Sequence, residues 1–320
     1  MKRIALLLVL PFLAMSLFAD EITGASTTSE LFVQISSLPE AKVGFTQEFK
    51  FPVLRLDNPL VSGNNIRFSL TAEVTPVSMN GIIQTVFSPV AFLEFNTGGR
   101  IGAGWPVKLF GSYIYGTGLN LSSASGKEKY DGEAFDALLL KFFIGGTFQF
   151  DFAAIFPGDW HHVVVLSHHE VFYHHNTRAE GGQPWYYEND DGENRNGWNY
   201  FGNIVLGYQM PIFLSMVAFM AEMELYLYDG DGMNGVSRIV WGDDLVRWKF
   251  SNILNFQITD QLSIALITQL RTRRNFTNFD EKYAKKHKQT FMHYQSRMLN
   301  TSDKLRLEFY RVAAILSYKF

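Results

Sequence analysis

The chain has 320 residues, 47% hydrophobic and 18% charged, which is enough for one large domain and too apolar for long disordered stretches. Its formal net charge of -3 gives no electrostatic reason to expect nucleic acid as a partner. Cysteine is absent, which excludes disulfides, thiol catalysis, thiolate metal sites and lipid modification of an N-terminal cysteine, whereas 29 Phe, 14 Tyr and 6 Trp make the chain unusually aromatic.

Lys2 and Arg3 precede an apolar run, Ile4 to Phe18, broken by Ser16 and followed by Ala19 and Asp20. A short positive region, a short apolar run and a small residue at its end form the layout of a secretory signal peptide, so residues 1–19 are expected to be removed. Leu17 is larger than the residue usual at its position, which puts cleavage within a few residues of Ala19. The run is too short for a membrane span, which needs roughly 20 apolar residues. The most apolar stretch after it, Met210 to Ala221, has 12 residues, so no transmembrane helix is predicted. A secreted chain this apolar is then either a soluble β protein or a membrane barrel.

Strand alternation decides between these. From Asn65 to Pro76, Ile66, Phe68, Leu70, Ala72 and Val74 lie on one side and Arg67, Ser69, Thr71, Glu73 and Thr75 on the other. Val43, Phe45, Phe49 and Phe51 oppose Lys42, Thr46, Glu48 and Lys50 in the same way. Phe148, Phe150 and Phe152 oppose Thr147, Gln149 and Asp151; Ile264, Leu266 and Leu270 oppose Ser263, Gln269, Arg271 and Arg273. The pattern predicts ten long strands, at 42–54, 65–76, 81–104, 134–155, 161–174, 197–209, 212–228, 237–257, 262–274 and 303–320, with twelve if Gly99 to Asn120 forms its own hairpin. Tight connections are predicted at 77–80, 156–160, 210–211 and 258–261, alternating with five longer polar ones. Tight turns at one end and long loops at the other describe an antiparallel up-and-down transmembrane β-barrel.

The chain closes on Tyr310, Val312, Ala314, Leu316, Tyr318 and Phe320 at every second position. A terminal Phe preceded by alternating apolar or aromatic residues resembles the assembly signal of bacterial outer-membrane β-barrel proteins. Ala313 and Ala314 occupy the region where such signals often carry a glycine. The resemblance is close over the last 11 residues, and the alternation extends it over most of the chain. It implies a porin-like location in the outer membrane, lipid around the barrel, periplasmic chaperones on the way there, and insertion machinery that reads the final strand. Residues 20–40 are then expected to be a periplasmic lead-in, with 41–320 a single barrel and both termini on the periplasmic side.

Four places could carry function. The alternation turns Lys42, Glu48, Lys50, Arg67, Glu73, Glu94, Lys141, Asp151, Glu222, Glu224, Arg247, Lys249, Arg271, Arg273 and Arg311 inward. Such a lining suits a small channel with charged constrictions or, in a narrow barrel, a plug of interlocked ion pairs beneath a surface-exposed structural or adhesive barrel. His161, His162, His168, His169, His174 and His175 crowd one segment, and His168, Glu170 and His174 share a face. At about 3.3 Å per residue, His162 and His174 stand about 40 Å apart on a straight strand, so no metal site is expected. Ser167-His168 and the rim acids Asp190, Asp191, Asp243 and Asp244 offer residue types for a lipid hydrolase or a rim protease, but no nucleophile–base spacing, so no enzyme is expected. Finally, Trp185 to Tyr200 is acidic and aromatic, suiting either a ligand-binding loop or an interfacial girdle, and Lys282 to Lys288 is its basic counterpart. Asp229-Gly230-Asp231-Gly232 lacks the closing Glu of a calcium loop and reads as a turn. No cofactor motif occurs, and the solute or surface ligand is not encoded legibly.

Overall fold

The computed structural model describes residues 24–38, 40–109, 112–120, 130–180, 183–188, 190, 192–227, 242, 244–278, 297–300 and 302–320. Twelve strands form one closed antiparallel barrel. They are β1 (Ser26–Ser36), β2 (Ala41–Pro52), β3 (Asn65–Val74), β4 (Ser78–Val90), β5 (Leu93–Gly104), β6 (Leu138–Asp151), β7 (Val163–Asn176), β8 (Gly197–Gln209), β9 (Leu214–Tyr226), β10 (Arg247–Gln257), β11 (Leu262–Arg274) and β12 (Leu305–Lys319). Each pairs with its neighbours in sequence, and β1 pairs with β12 to close the ring. No described helix is long and apolar enough to cross a membrane; the crossing elements are strands.

The alternation explains both faces. Phe68, Val74, Ile83, Phe95, Ile101, Phe142, Ile144, Ile204, Leu206 and Phe219 are exposed on the outside of the ring. Their polar neighbours in sequence turn to the inside, where closure satisfies every strand edge. Opposite charges meet directly across the ladder at Glu224↔Arg247, Glu222↔Lys249 and Arg271↔Glu308, which favours this register over a slip that would turn every side chain to the other face.

The strand count of twelve is reached by a route other than the expected hairpin. The segment read as a periplasmic lead-in over 20–40 instead supplies β1. Its alternation is masked because an inward residue, Phe32, is as apolar as the outward Leu31, Val33 and Ile35. Phe32 fits inside because Gly44 lies beneath it; a Cβ at Gly44 would stand 2.1 Å from the ring. The span 81–104 is two strands, β4 and β5, joined at 91–92. Their register shifts between Phe87 and Val90, and Pro89, which cannot donate to a ladder, falls in that irregularity. Ala91 and Phe92 are not turn formers, so the sequence reads as continuous there.

These changes invert part of the loop assignment. The connection 53–64 lies at the end of the barrel that holds both termini, and the tight turn 75–77 lies at the other, with the long loops. The stretch 106–120 forms short loop strands rather than wall. The signal-peptide segment, the Asp229 to Gly232 turn, the Lys282 to Lys288 run, Asp191 and Asp243 lie outside the described residues.

The final strand departs from simple alternation once. Gln269 faces Arg311 but Leu270 faces Phe309, so Tyr310 is an extra residue in a bulge. The bulge turns Tyr310 into the barrel, off the outer face that holds Val312, Leu316, Tyr318 and Phe320. Ala314 keeps the parity of that outer row, and Tyr310 is therefore not part of it.

Candidate functional site

Inner-face charges are tied along the wall. Lys42 reaches Glu73 at 3.4 Å, Arg67 reaches Glu94 at 2.7 Å, and Arg100 reaches Glu73 at 3.6 Å. Lys141 meets Glu170 at 2.7 Å on the neighbouring strand, under the Phe172 ring. Arg247 meets Glu224 at 2.8 Å, Lys249 meets Glu222 at 3.7 Å, and Arg271 meets Glu308 at 3.0 Å. Arg311 pairs with Glu40 of the first turn and with Gln269. Asp151 holds His162 at 2.6 Å near the terminus-bearing end. Glu48, Lys50 and Arg273 keep the same inner parity on their strands.

On β10, β11 and β12 the inner face carries Arg247, Lys249, Arg271, Arg273, Arg306 and Arg311 against the single carboxylate Glu308. Tyr310 sits among these cations, its ring centroid 4.2 Å from the Arg271 guanidinium carbon and 5.1 Å from that of Arg311.

The mouth opposite the termini is spanned by the described residues between β7 and β8, 177–180, 183–188, 190 and 192–196; we call them the strap. Glu188 crosses to the far wall, where it accepts a 2.7 Å hydrogen bond from Ser78 Oγ and stands 4.0 Å from Lys42 Nζ. The Tyr187 hydroxyl donates to Asn80 Oδ1 at 2.5 Å, with the Arg100 guanidinium over its ring. At the other side Glu193 accepts from Arg274 Nε at 2.6 Å, and its carbonyl accepts from the Tyr226 hydroxyl. Strap residues 185–187 pair with 117–120, which pair with 130–131, so two long loops share one small sheet in the opening. Trp185, Leu119, Leu139 and Ala179 form the apolar cluster beneath it. Burial pushes the Tyr187 hydroxyl up to about 12, aided by the negative charge of Glu188, and pushes Tyr186 well above its ordinary value.

The strap is the feature that sequence reading missed. Trp185 and Tyr186 are neither girdle nor surface anchors; both are only 3% exposed. Trp198 is exposed on the outside as a girdle residue should be, and Tyr200 keeps the same outward parity. A signal was present, since three adjacent aromatic residues followed by acids are too apolar for a solvated loop and too polar for a strand in lipid.

Free space remains around the strap. A cavity of about 160 Å³ lies between it and the wall of β9 to β12, where the carboxylates Asp190, Glu193, Glu222 and Glu224 face Arg247, Lys249 and Arg271. A second of about 320 Å³ lies at the same mouth beside Lys42, Glu40, Glu188 and Arg311. A third of about 500 Å³ opens at the terminus-bearing end around His162, Gln209, Asn255 and Gln257.

The histidines do not converge. His168 Nε2 lies 3.8 Å from Glu170, which is engaged by Lys141, while the His174 ring packs on Trp185. Among the described residues no three His, Cys, Asp or Glu side chains are placed to hold a metal ion. His169 and His175 keep outward parity. Ser167 contacts His169 rather than its neighbour His168.

A closed antiparallel ring with an apolar jacket and a charged inner wall is a transmembrane β-barrel of the outer-membrane kind. No protein-family model and no curated protein matches the chain. Among solved structures it is similar to the β domain of the Bordetella autotransporter BrkA, at 9% identity over 92% of this chain and 98% of that one, with a TM-score of 0.40. The KdgM porin, solved with disordered oligogalacturonate, matches at 9% identity over 92% and 99%, TM-score 0.33. The transport unit of the Escherichia coli autotransporter AIDA-I matches at 8% identity over 92% and 89%, TM-score 0.32.

Proposed function

We propose that this barrel is a channel for small polar solutes, without enzymatic activity in its lumen, whose loop-bearing mouth is narrowed by the strap. One observation carries the reading. Among the described residues, every ion pair between strand side chains stays along the wall, within a strand, between adjacent strands or, for Arg67–Glu94 and Arg100–Glu73, across the single intervening strand β4, and none crosses the lumen. An interlocked plug would tie opposite walls together. Among the described residues, opposite walls are tied only by the strap, at one end, through Glu188 and Glu193. Twelve strands also enclose more room than the roughly eight whose interior side chains fill.

The cationic face of β10, β11 and β12 should favour anions over cations in transit. The final strand, with its outward Val312, Leu316, Tyr318 and Phe320, would be the part read by the insertion machinery after chaperones deliver the chain across the periplasm. The test is single-channel current across a planar bilayer containing the refolded mature chain, with a heat-modifiable gel shift as the folding control. Discrete steps with anion preference support the reading. A folded, silent barrel overturns it and leaves a structural or adhesive barrel that acts through its loops.

A further inference from the structure

The outer face of β7 and β8 carries a polar group that neither the jacket nor the lumen requires. Ser167 Oγ lies 3.0 Å from His169 Nε2, and His169 Nδ1 lies 2.5 Å from the Tyr200 hydroxyl. Ser167 and His169 point the same way because they are two apart on one strand. Tyr200 reaches them from β8, where His169 pairs with Gly202. A Cβ at Gly202 would stand 2.9 Å from Met223 Cε, 3.1 Å from Tyr200 Oη and 3.3 Å from His169 Nδ1, so the missing side chain leaves room for the tyrosine to lean back onto the ring. Gly146 flanks His169 on the other side, and Phe148 and Ile204 pair with Ser167. The trio thus lies in a trough between apolar ridges. Polar side chains facing lipid are costly, and Ser, His and Tyr in one hydrogen-bonded line need a reason beyond packing.

We propose that Ser167 is an activated nucleophile on the membrane-facing surface, and that it accepts an acyl group from lipid-soluble esters. With Nδ1–H donated to Tyr200 Oη, His169 keeps a lone pair on Nε2 directed at the serine proton. Ser167 Oγ attacks the ester carbonyl carbon and its proton passes to His169 Nε2. The carbon–oxygen bond to the alcohol breaks, and His169 returns the proton to the departing alkoxide. An acyl-serine and a free alcohol remain; water reverses the sequence to release the acid. The backbone N–H groups here are held in the barrel ladder and supply no oxyanion pocket. Losing one such donor slows hydrolases by about 10²–10³, so stoichiometric acylation with slow release is expected rather than rapid turnover. The proposal is independent of the channel reading, because the trough and the lumen lie on opposite faces of β7.

The test treats the folded barrel in micelles with a long-chain fluorophosphonate, and separately with a p-nitrophenyl palmitate probe, and maps the adduct by peptide mass. One adduct per barrel on Ser167 is expected, and none in Ser167→Ala. His169→Phe and Gly202→Ala should slow labelling at least tenfold while the heat-modifiable gel shift persists. A folded wild-type barrel that stays unlabelled overturns the proposal, as does labelling whose rate ignores His169. Conductance measured on Ser167→Ala should equal that of the wild type, which keeps failure of this proposal distinct from failure of the channel reading.

Discussion

Replacing Glu193 by Gln should loosen the strap. In the native barrel the Arg274 side chain is 0% exposed and Glu193 5% exposed, and they meet at 2.6 Å. Breaking a buried pair by removing one partner costs up to about 3–5 kcal/mol. The Tyr226 ring, 5.8 Å from the Arg274 guanidinium carbon, offsets only part of that. Since about 1.4 kcal/mol is a factor of ten, the ratio of seated to released strap should fall by up to two to three powers of ten. Single-channel recording would read this as a larger mean current, or as new openings, in a barrel that still migrates as folded. The double variant Glu193→Gln/Arg274→Met removes the cation as well and should lie closer to wild type, in the manner of a coupled pair. Unchanged current and gating in a folded Glu193→Gln barrel would refute the idea that the strap limits conduction.

Glu188→Gln should have a smaller effect, tenfold or less in the same ratio, because the Lys42 contact is long, at 4.0 Å, and Ser78 can still donate to the amide oxygen; the same recording checks it. Tyr187 is held neutral in the folded barrel up to about 12, against an ordinary value of 10.0. A raised value means that its stabilisation of the strap is complete below pH 10 and is lost as pH climbs toward 12, so current should rise in that window and Tyr187→Phe should flatten the change. Arg271→Glu reverses one cation on a face that holds Glu308 alone, and reversal potentials should shift toward cations. Gly44→Val should drive a side chain into the Phe32 ring and unseat β1; overpacking of this kind costs about 1–3 kcal/mol, visible as a lower midpoint in urea unfolding.

The wall was legible in the sequence because lipid outside and polar lumen inside impose a two-residue period, and Asn65 to Val74 obeys it without exception. The period fails wherever an inward residue is apolar. Phe32 hid β1, and Pro89-Val90-Ala91-Phe92 hid the β4–β5 turn, since neither has a polar residue on the beat. Tyr310 shows the converse failure: alternation cannot foresee a bulge, which adds a residue with no compositional mark. The strap was illegible for a different reason. Its partners Ser78, Asn80, Lys42 and Arg274 are distant in sequence, and only the closed ring brings them within reach. The Ser167–His169–Tyr200 line was missed because adjacent residues, Ser167 and His168, drew notice, whereas a strand brings together residues two apart.

The pairing of β1 with β12 stitches residues 30–36 to 313–319, almost the full length of the chain apart. Of the pairings in the barrel wall, this seam joins the residues farthest apart in sequence. Until it forms, β1 and whichever strand lies at the growing end each present a raw row of N–H and C=O groups that lipid cannot satisfy. A product clipped by a single strand at either end is therefore an open sheet with two adhesive margins, unfit for the bilayer and prone to pairing with its own kind. Closure of the wall therefore depends on two strands, β1 and β12, that lie at opposite extremes of the barrel sequence.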